Sequence, residues 1–529
     1  MFPTDLVDLP NPDPRAPTNS PVTPLAGGIA NLNAVVEALQ AKVGVDGSAV
    51  PTTIDARLTD CVAAIPAAIQ DHVAESDPHP AYMLSANHAA EHAALAAKPT
   101  DRVIAHRGGG ALVNAEYTMS AYQYSIAAGI KNIEFDVHVN AAGMALLMHD
   151  PTVDRTTTAT GNVADLTNDA YAALVCDTDV VLGAPNYRRE SPPFFIDALR
   201  YVLSFPDTVA WIEAKNAGAD IAILDALHSL NVDRERVVIA SGSSTYLLEA
   251  IAQGFKTSYQ AVISGSPNWQ TLAANGYTYI AGSYTDWTQQ KVIDCKAAGM
   301  GAIAYTPNRR YEYQQLIGYG IDYIYSDDPL WAAGVGTPIK KSPFASGRWP
   351  SGMLQYVSRG VFGPNVGEWG SSVTTAGYQS CLQGWACPIK NDANANSFTI
   401  TFQLKFTAVA DTTRWFAMFV CANTDQTYTD GLVADPSGYH LLIRKNGNLD
   451  IWRKSPGVSA ALLYSLTGGA EFVTDTYYGV TVTVTPTQVV LAIPSLSRTN
   501  TVNDANHRGG YFSIGRNGAA VMIKDVVIS

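Results

Sequence analysis

Charged side chains are scarce in this sequence. Asp, Glu, Lys and Arg together make up 15% of its 529 residues, whereas about 25% is typical of globular proteins. Acidic residues outnumber basic ones, which gives a formal net charge of −13. That balance argues against nucleic acid as a partner, since a phosphate backbone is bound by basic surface. Ser, Thr, Asn and Gln must therefore supply much of the polar surface.

The sequence also lacks long apolar runs, zinc-type cysteine spacing and the features of a secretory leader. No apolar stretch approaches the ~20 residues that a membrane helix needs, so we expect no membrane insertion. The first residues are neither basic nor apolar enough for an export signal. Cys381 and Cys387 could close a short loop, but buried free thiols are the simpler interpretation of the six cysteines.

Three regions differ in their hydrophobic pattern, as expected for a chain too long for a single core. Residues 1–100 contain apolar residues at alternating spacings of three and four. They are Ile29, Leu32, Val36, Leu39 and Val43. Two such heptads predict a short coiled-coil-like helix that joins a small oligomeric bundle, or an amphipathic helix that packs on its own chain.

Residues 101–335 alternate short apolar strands with helical stretches, which is typical of repeated βα units. The strand candidates are 102–106, 132–138, 144–149, 209–214, 236–241, 257–262, 278–282, 302–306 and 322–326. The region from 150 to 208 interrupts this alternation, and we expect it to form a wall of the cleft.

Residues 336–529 change to a period of two. Phe398, Ile400 and Phe402 alternate with polar residues, and Asn446-Gly447 predicts a hairpin turn. This pattern predicts an antiparallel, all-β sandwich of the jelly-roll or lectin-like kind, which we expect to bind glycan or to trimerise.

Chemistry-bearing residues stand at the ends of several central strands. Glu134 and Asp136 are two apart, so both side chains point to the same face of a strand. Paired carboxylates on one face suit a hard cation. His106 and His149 follow other strands, and two nearby imidazoles suit proton transfer on either side of a reacting atom.

The central region resembles the glycerophosphodiester phosphodiesterase family, because several of its motifs occur in order. The matching segments are His106-Arg107-Gly108, Ala115-Glu116-Tyr117-Thr118, Glu134-Phe135-Asp136-Val137, His149-Asp150, Asp154-Arg155-Thr156-Thr157, Trp211-Ile212-Glu213-Ala214-Lys215, Tyr305-Thr306-Pro307-Asn308 and Gly320 to Pro329. The resemblance covers about residues 101–335. Ala115, Tyr117, Tyr305 and Pro307 depart from the family's PENT and WTVN motifs, which affects the expected substrate more than the expected reaction.

The resemblance implies an α/β TIM-type barrel whose active site lies at the C-terminal ends of its strands. It implies that Glu134, Asp136 and Glu213 hold a divalent metal, which a set of carboxylates suggests is Ca²⁺ or Mg²⁺. It further implies that His106 and His149 are the catalytic acid and base. Arg107 and Lys215 are then expected to bind the substrate phosphate.

Simpler interpretations of the same residues remain open. Glu213 with Lys215, and Glu134 with Arg107, would be plain ion pairs if no metal bound. Tyr305, Trp269, Trp287 and Tyr311 suit stacking on sugar rings, but aromatic residues near a barrel rim are as often packed in the core.

Residues 72–82 resemble an HxxxxDPHPxY element of bacteriophage tail-fibre proteins. We therefore expect a homotrimeric tail fibre or tailspike that is located in the virion and joined to tail or baseplate proteins through its N-terminus. Its partner would be a bacterial capsule or teichoic-acid-like glycan, in which it cleaves glycerol-phosphate-type phosphodiester linkages. The alternatives are a free glycerophosphodiesterase that acts on small diesters, and a non-catalytic receptor-binding adhesin whose barrel is only a scaffold.

Overall fold

The computed structural model describes residues 101–111, 114–176, 190–335, 354–355, 361–362, 369–371, 378–386 and 396–529. The predicted heptads and the tail-fibre-like element lie outside these residues. So does Cys387, whose possible pairing with Cys381 is therefore outside the described structure. Cys176 and Cys295 are free and buried, as predicted for thiols in a core, and Cys421 is buried as well. No helix among the described residues is long and apolar enough to cross a membrane.

The central region is a closed barrel of eight parallel strands, which confirms the predicted TIM-type fold. Its sheet contains nine strands: β1 (Val103–Ala105), β2 (Asn132–Val139), β3 (Ala145–Leu147), β4 (Val209–Ala214), β5 (Val237–Ser241), β6 (Lys256–Gln260), β7 (Tyr279–Ser283), β8 (Gly301–Tyr305) and β9 (Tyr323–Ser326). The parallel order runs β1, β2, β4, β5, β6, β7, β8 and β9, and β9 pairs with β1 to close the barrel.

Helices cover the outside of the barrel. They are α1 (Met119–Ala127), α2 (Asn168–Ala172), α3 (Phe195–Leu203), α4 (Ala219–Ser229), α5 (Leu248–Ala252), α6 (Trp269–Ala274), α7 (Gln289–Ala297), α8 (Arg310–Tyr319) and α9 (Pro329–Ala332). The side chains of Thr118 and Thr288 cap α1 and α7 by accepting backbone N–H bonds at the helix start. Apolar strand residues and the inner helix faces form one continuous core.

The sequence contains nine strand candidates, whereas a TIM-type barrel has eight strands. Strand β3 is the additional one. It runs antiparallel to β2, and its one further pairing among the described residues is a single bridge from Leu146 to Phe194. The sequence predicts that His149 follows a barrel strand, and this is wrong. His149 lies just beyond a hairpin strand that folds back along β2. The backbone N–H of Met148 bonds to the carbonyl of Asp136 at 3.2 Å, which brings His149 to the level of the acidic pair.

The C-terminal region contains two seven-stranded antiparallel sheets, as predicted. One sheet contains β10 (Leu354–Gln355), β13 (Tyr378–Trp385), β15 (Trp415–Ala422), β16 (Gly438–Arg444), β17 (Leu449–Lys454), β18 (Ala461–Leu466) and β22 (Tyr511–Asn517). The other contains β11 (Val361–Phe362), β12 (Trp369–Ser371), β14 (Phe398–Val409), β19 (Tyr478–Val484), β20 (Gln488–Ile493), β21 (Arg498–Asn503) and β23 (Ala519–Ile528).

The β-sandwich core follows from the alternation in sequence. Every second residue of β14 from Phe398 to Phe406 is buried, and apolar residues of both sheets meet in one cluster. The predicted turn at Asn446-Gly447 joins β16 to β17, with Gly447 at a φ of 87° that favours glycine. The barrel and the sandwich belong to one compact unit.

A buried histidine makes the β-sandwich sensitive to acid. His440 is enclosed by aromatic rings and hydrogen-bonds to the Tyr428 hydroxyl at 2.9 Å. Burial, and then the nearby charge of Arg444, lower the pKa of His440 to about 3. An unfolded histidine has a pKa of ~6.5, so between these values only the unfolded state takes up the proton. Stability must therefore fall as the pH drops below ~6.5.

We predict that the His440→Phe variant loses less stability in acid than the wild type. At pH 5 the buried neutral imidazole costs the wild type about 2 kcal/mol relative to pH 7.5, and a phenyl ring does not titrate. Urea titrations of both proteins at these two pH values measure the difference. Equal losses in the two proteins would contradict this role for His440.

Candidate active site

Three buried carboxylates meet at the C-terminal mouth of the barrel. Glu134 and Asp136 project from β2, and Glu213 projects from β4, where it stands in register with Asp136 on the neighbouring strand. One oxygen of each group lies within 4.8 Å of the other two. The structure thus brings together all three residues that the sequence predicts as metal ligands.

Hydrogen-bond donors surround these carboxylates but leave one acceptor without a hydrogen bond. The backbone N–H of Arg107 donates to Glu134, and the Tyr117 hydroxyl donates to Asp136. Lys215 Nζ lies 3.0 Å from Glu213 and 3.4 Å from Asp136. The second oxygen of Asp136 is buried and accepts no hydrogen bond among the described residues, although it shares the ion pair with Lys215.

The electrostatics of the triad are those of crowded negative charges in a buried site. Burial, and then the charge of Asp136, raise the pKa of Glu134 well above its usual value and that of Glu213 to about 7. Burial also acts to raise the pKa of Asp136, but the charges of Lys215 and His149 and the Tyr117 hydrogen bond outweigh it and lower that pKa. The single ammonium group of Lys215 does not neutralise three carboxylates.

The donor set fits a hard divalent cation. All three groups offer carboxylate oxygens, which Ca²⁺ and Mg²⁺ prefer, rather than the imidazole and thiolate typical of zinc. Two oxygens bound to one Ca²⁺ ion lie at most about 5 Å apart, and the triad's oxygens lie within 4.8 Å of one another. The buried oxygen of Asp136 without a hydrogen bond is the kind of atom such an ion satisfies.

His106 is held by a half-buried carboxylate. Its Nδ1 lies 2.6 Å from Asp327, which follows β9. Asn308, in the loop after β8, donates to the other oxygen of Asp327 at 3.0 Å and accepts its backbone N–H at 2.7 Å. Burial acts to raise the pKa of Asp327, but the charge and hydrogen bond of His106 outweigh it, so the carboxylate stays ionised. This arrangement fixes the imidazole and directs Nε2 away from Asp327.

His149 forms a second imidazole–carboxylate pair. Its Nδ1 lies 2.7 Å from Asp150, and Arg155 donates to the other oxygen of Asp150 at 2.6 Å. Arg155 also bonds to both oxygens of Glu116, at 2.6 and 3.0 Å. Burial lowers the pKa of His149, while the negative charge of Asp136 acts in the opposite direction.

The two predicted phosphate-binding residues border the triad, each already paired. The Arg107 guanidinium bonds to Glu116 at 2.8 Å, so the alternative interpretation of a Glu134–Arg107 ion pair does not hold. Lys215 does pair with Glu213, as the simpler interpretation proposes. The buried Nε of Arg107 makes no hydrogen bond within the described part of the chain.

One of the four aromatic candidates for sugar stacking is a core residue. Trp287 is buried, stacks on Trp269 with ring centres 6.0 Å apart, and donates from Nε1 to the carbonyl of Ile303. Tyr305 packs beside the aromatic cluster that fills the barrel interior. Packing therefore explains Trp287, whereas Tyr305 is partly buried and stays a candidate for stacking.

Residue-level reasoning did not assign roles to several groups that organise the site. Four of these groups lie within the motifs that resemble the phosphodiesterase family, and their place in those motifs was the signal that could have identified them. They are Asp327, Asn308, Glu116 and Arg155. The sequence signal at Tyr117 was weaker. Tyr117 departs from the family pattern, its backbone adopts a φ of 54°, and its hydroxyl donates to Asp136.

The barrel region is similar in sequence to known phosphodiesterases. Residues 106–330 match the sequence model of the glycerophosphoryl diester phosphodiesterase family. A glycerophosphodiester phosphodiesterase of Caldanaerobacter subterraneus is 28% identical over 236 residues, which cover 43% of this chain and 94% of that protein. Glycerophosphodiester phosphodiesterase 1 of Homo sapiens is 44% identical over 79 residues, which cover 15% of this chain and 24% of that protein.

Two solved structures resemble part of the chain. A phosphodiesterase of Oleispira antarctica, in complex with the product sn-glycerol-3-phosphate, is 22% identical with a TM-score of 0.41, over 46% of this chain and 98% of that one. A glycerophosphodiester phosphodiesterase of Agrobacterium tumefaciens is 20% identical with a TM-score of 0.38, over 44% and 99% of the two chains. Residues 106–330 are therefore similar in sequence to the glycerophosphoryl diester phosphodiesterase family, and this similarity coincides with the barrel that holds the acidic triad.

Proposed function

We propose that the barrel hydrolyses phosphodiesters of the glycerol-phosphate type with the help of a divalent cation. The observation that carries this proposal is a buried acidic triad with an imidazole–carboxylate pair on either side of it in the network. Arg107, next to His106, donates its backbone N–H to Glu134, and His149 interacts with the charge of Asp136. A phosphodiester needs both elements, since its negative charge must be neutralised and its leaving alkoxide must be protonated.

His106 and His149 carry the proton transfers in this mechanism. One imidazole takes the proton of the attacking hydroxyl, from water or from the substrate, as the new P–O bond forms. The other gives a proton to the alkoxide oxygen as the old P–O bond breaks. Asp327 and Asp150 orient the two rings through their Nδ1 atoms, so Nε2 is the reacting atom of each.

The remaining groups stabilise negative charge. Glu134, Asp136 and Glu213 would hold the cation, which supplies positive charge to the phosphate oxygens when bound. Arg107 and Lys215 are positioned beside the same mouth of the barrel and would bind the phosphate by charge-assisted hydrogen bonds. Their present partners, Glu116 and Glu213, keep both side chains extended toward the site.

We predict that His106→Ala and His149→Ala each lower kcat for glycerophosphodiester hydrolysis by about 10²- to 10⁴-fold, because each removes a proton-transfer group. A p-nitrophenyl phosphodiester, whose leaving group needs no proton, should restore most of the rate only to the variant that lost the general acid. His228→Gln, at an exposed histidine bonded to Gln253, is the matched control. Near-normal turnover of both alanine variants would refute the assignment.

We predict that Ca²⁺ or Mg²⁺ stabilises the protein through the triad. A ligand at 100 times its dissociation constant stabilises the folded state by about 2.7 kcal/mol, which thermal unfolding with and without EDTA measures. Asp136→Asn should lose this stabilisation and the activity. Asp150→Asn removes a nearby carboxylate outside the triad, so it should retain the metal effect. An equal metal response in both variants would place the ion elsewhere.

We propose further that the substrate is a polymer on the bacterial surface and that the chain is a homotrimeric tail fibre or tailspike of a phage virion, attached through its N-terminal residues. Two observations support this: the tail-fibre-like pattern in residues 72–82, and the β-sandwich that packs on the barrel through Trp331 and Tyr511. A free glycerophosphodiesterase that acts on small diesters would need neither.

We predict a kcat/KM at least about tenfold higher on a glycerol-phosphate-containing capsule than on glycerophosphocholine, because contacts remote from the cleaved bond strengthen transition-state binding. Cleavage of the polymer creates phosphomonoester ends. A phosphatase then releases inorganic phosphate from these ends, and the amount of that phosphate measures the cleavage. Light scattering of the intact protein measures its mass in the same sample. A monomer that prefers the small diester would support the free enzyme instead, and a protein that binds capsule without cleaving it would support an adhesin.

A further inference from the structure

Helix α8 is capped by a side chain from the other domain. Its own N-cap residue, Arg309, carries no acceptor for the first backbone N–H groups of the helix. Asp425 supplies both acceptor oxygens. It accepts the N–H of Arg310 at 2.7 Å and that of Tyr311 at 2.8 Å. The negative charge at this helix start also interacts favourably with the helix dipole.

Asp425 belongs to the β-sandwich and is itself buried. It lies in the connection between β15 and β16, and its carboxylate also accepts the indole N–H of Trp331 at 3.0 Å. The guanidinium of Arg310 lies 3.7 Å from the Trp331 ring and bonds to the carbonyls of Trp331 and Val335. A buried carboxylate that accepts three N–H bonds from the barrel rigidly joins the two domains at this point.

The capped helix leads directly to the candidate catalytic imidazole. Asn308 stands two residues before Arg310, in the loop between β8 and α8. Asn308 bonds to the side chain and the backbone of Asp327, and Asp327 bonds to Nδ1 of His106. Any shift of the helix start therefore moves Asn308 and, through Asp327, turns the imidazole.

We propose that Asp425 is a positioning residue for His106, so that the C-terminal β-sandwich sets the geometry of the active site. This inference rests on the proposed function for its kinetic consequence. Asp425 touches neither substrate nor cation, and it acts by fixing the start of α8. Misplacement of a reacting group by a fraction of an ångström is enough to slow a reaction strongly.

Kinetics of the full-length protein test the proposal. Asp425→Asn should lower kcat on the order of 10-fold with KM little changed, because the positioning of the imidazole changes and the substrate contacts do not. Asp425→Glu keeps the charge and displaces the carboxylate, and it serves if the first variant does not fold. Asp450→Asn is the matched control, since Asp450 is a buried carboxylate whose bonds to Arg444 and Ser465 stay within the β-sandwich.

A double mutant tests the route through Asn308. In the Asn308→Ala background the connection to Asp327 is already broken, so Asp425→Asn should then change kcat less than 2-fold. Independent, multiplying effects of the two substitutions would overturn the route. Unchanged kcat in Asp425→Asn, or an equal loss in Asp450→Asn, would overturn the positioning role itself.

A spectroscopic readout separates this proposal from the proposed function. The chain contains ten histidines, so the imidazole nitrogens of a ¹⁵N-histidine-labelled sample can be assigned with the help of His106→Gln. Asp425→Asn should shift the His106 signals and Asp450→Asn should not. Wild type that cleaves no phosphodiester would refute the proposed function alone, whereas unmoved His106 signals would refute the positioning role.

Discussion

Like-charge crowding at the mouth of the barrel is the constraint on which the site depends. Glu134, Asp136 and Glu213 are held by two neighbouring strands in register, so they cannot move apart without breaking the sheet. Removing each carboxylate from water costs several kcal/mol when no partner compensates. Lys215 and a few hydrogen bonds offset part of that cost. In the proposed function, a divalent cation would offset the rest of that cost.

The same constraint arranges the second layer of the site. Arg107 donates its backbone N–H to Glu134, while its guanidinium bonds to Glu116. Glu116 then also binds Arg155, which holds Asp150 against His149. On the other side, Asp327 holds His106 and is itself held by Asn308. The β-sandwich enters this network at the helix that follows Asn308.

Local patterns made the strands and the acidic triad predictable, because each rests on short-range rules. Alternation and apolar runs located β2, β4 and β14 within about three residues, and the two-residue spacing of Glu134 and Asp136 placed both on one face. The antiparallel course of β3 was not predictable, since a three-residue apolar run contains no information on its direction. The cap from Asp425 was beyond sequence reasoning as well. It joins residues 115 positions apart, and an isolated Asp in a loop gives no sign of which helix it will meet.

The central claim is that the triad binds a divalent cation beside two imidazoles. The most direct measurement is an anomalous difference map from crystals of this protein grown with Mn²⁺, which scatters anomalously and accepts the same oxygen ligands as Mg²⁺. We expect one strong peak about 2.0–2.6 Å from oxygens of Glu134, Asp136 and Glu213. A map with no peak there, or with its peak at other residues, would contradict the account.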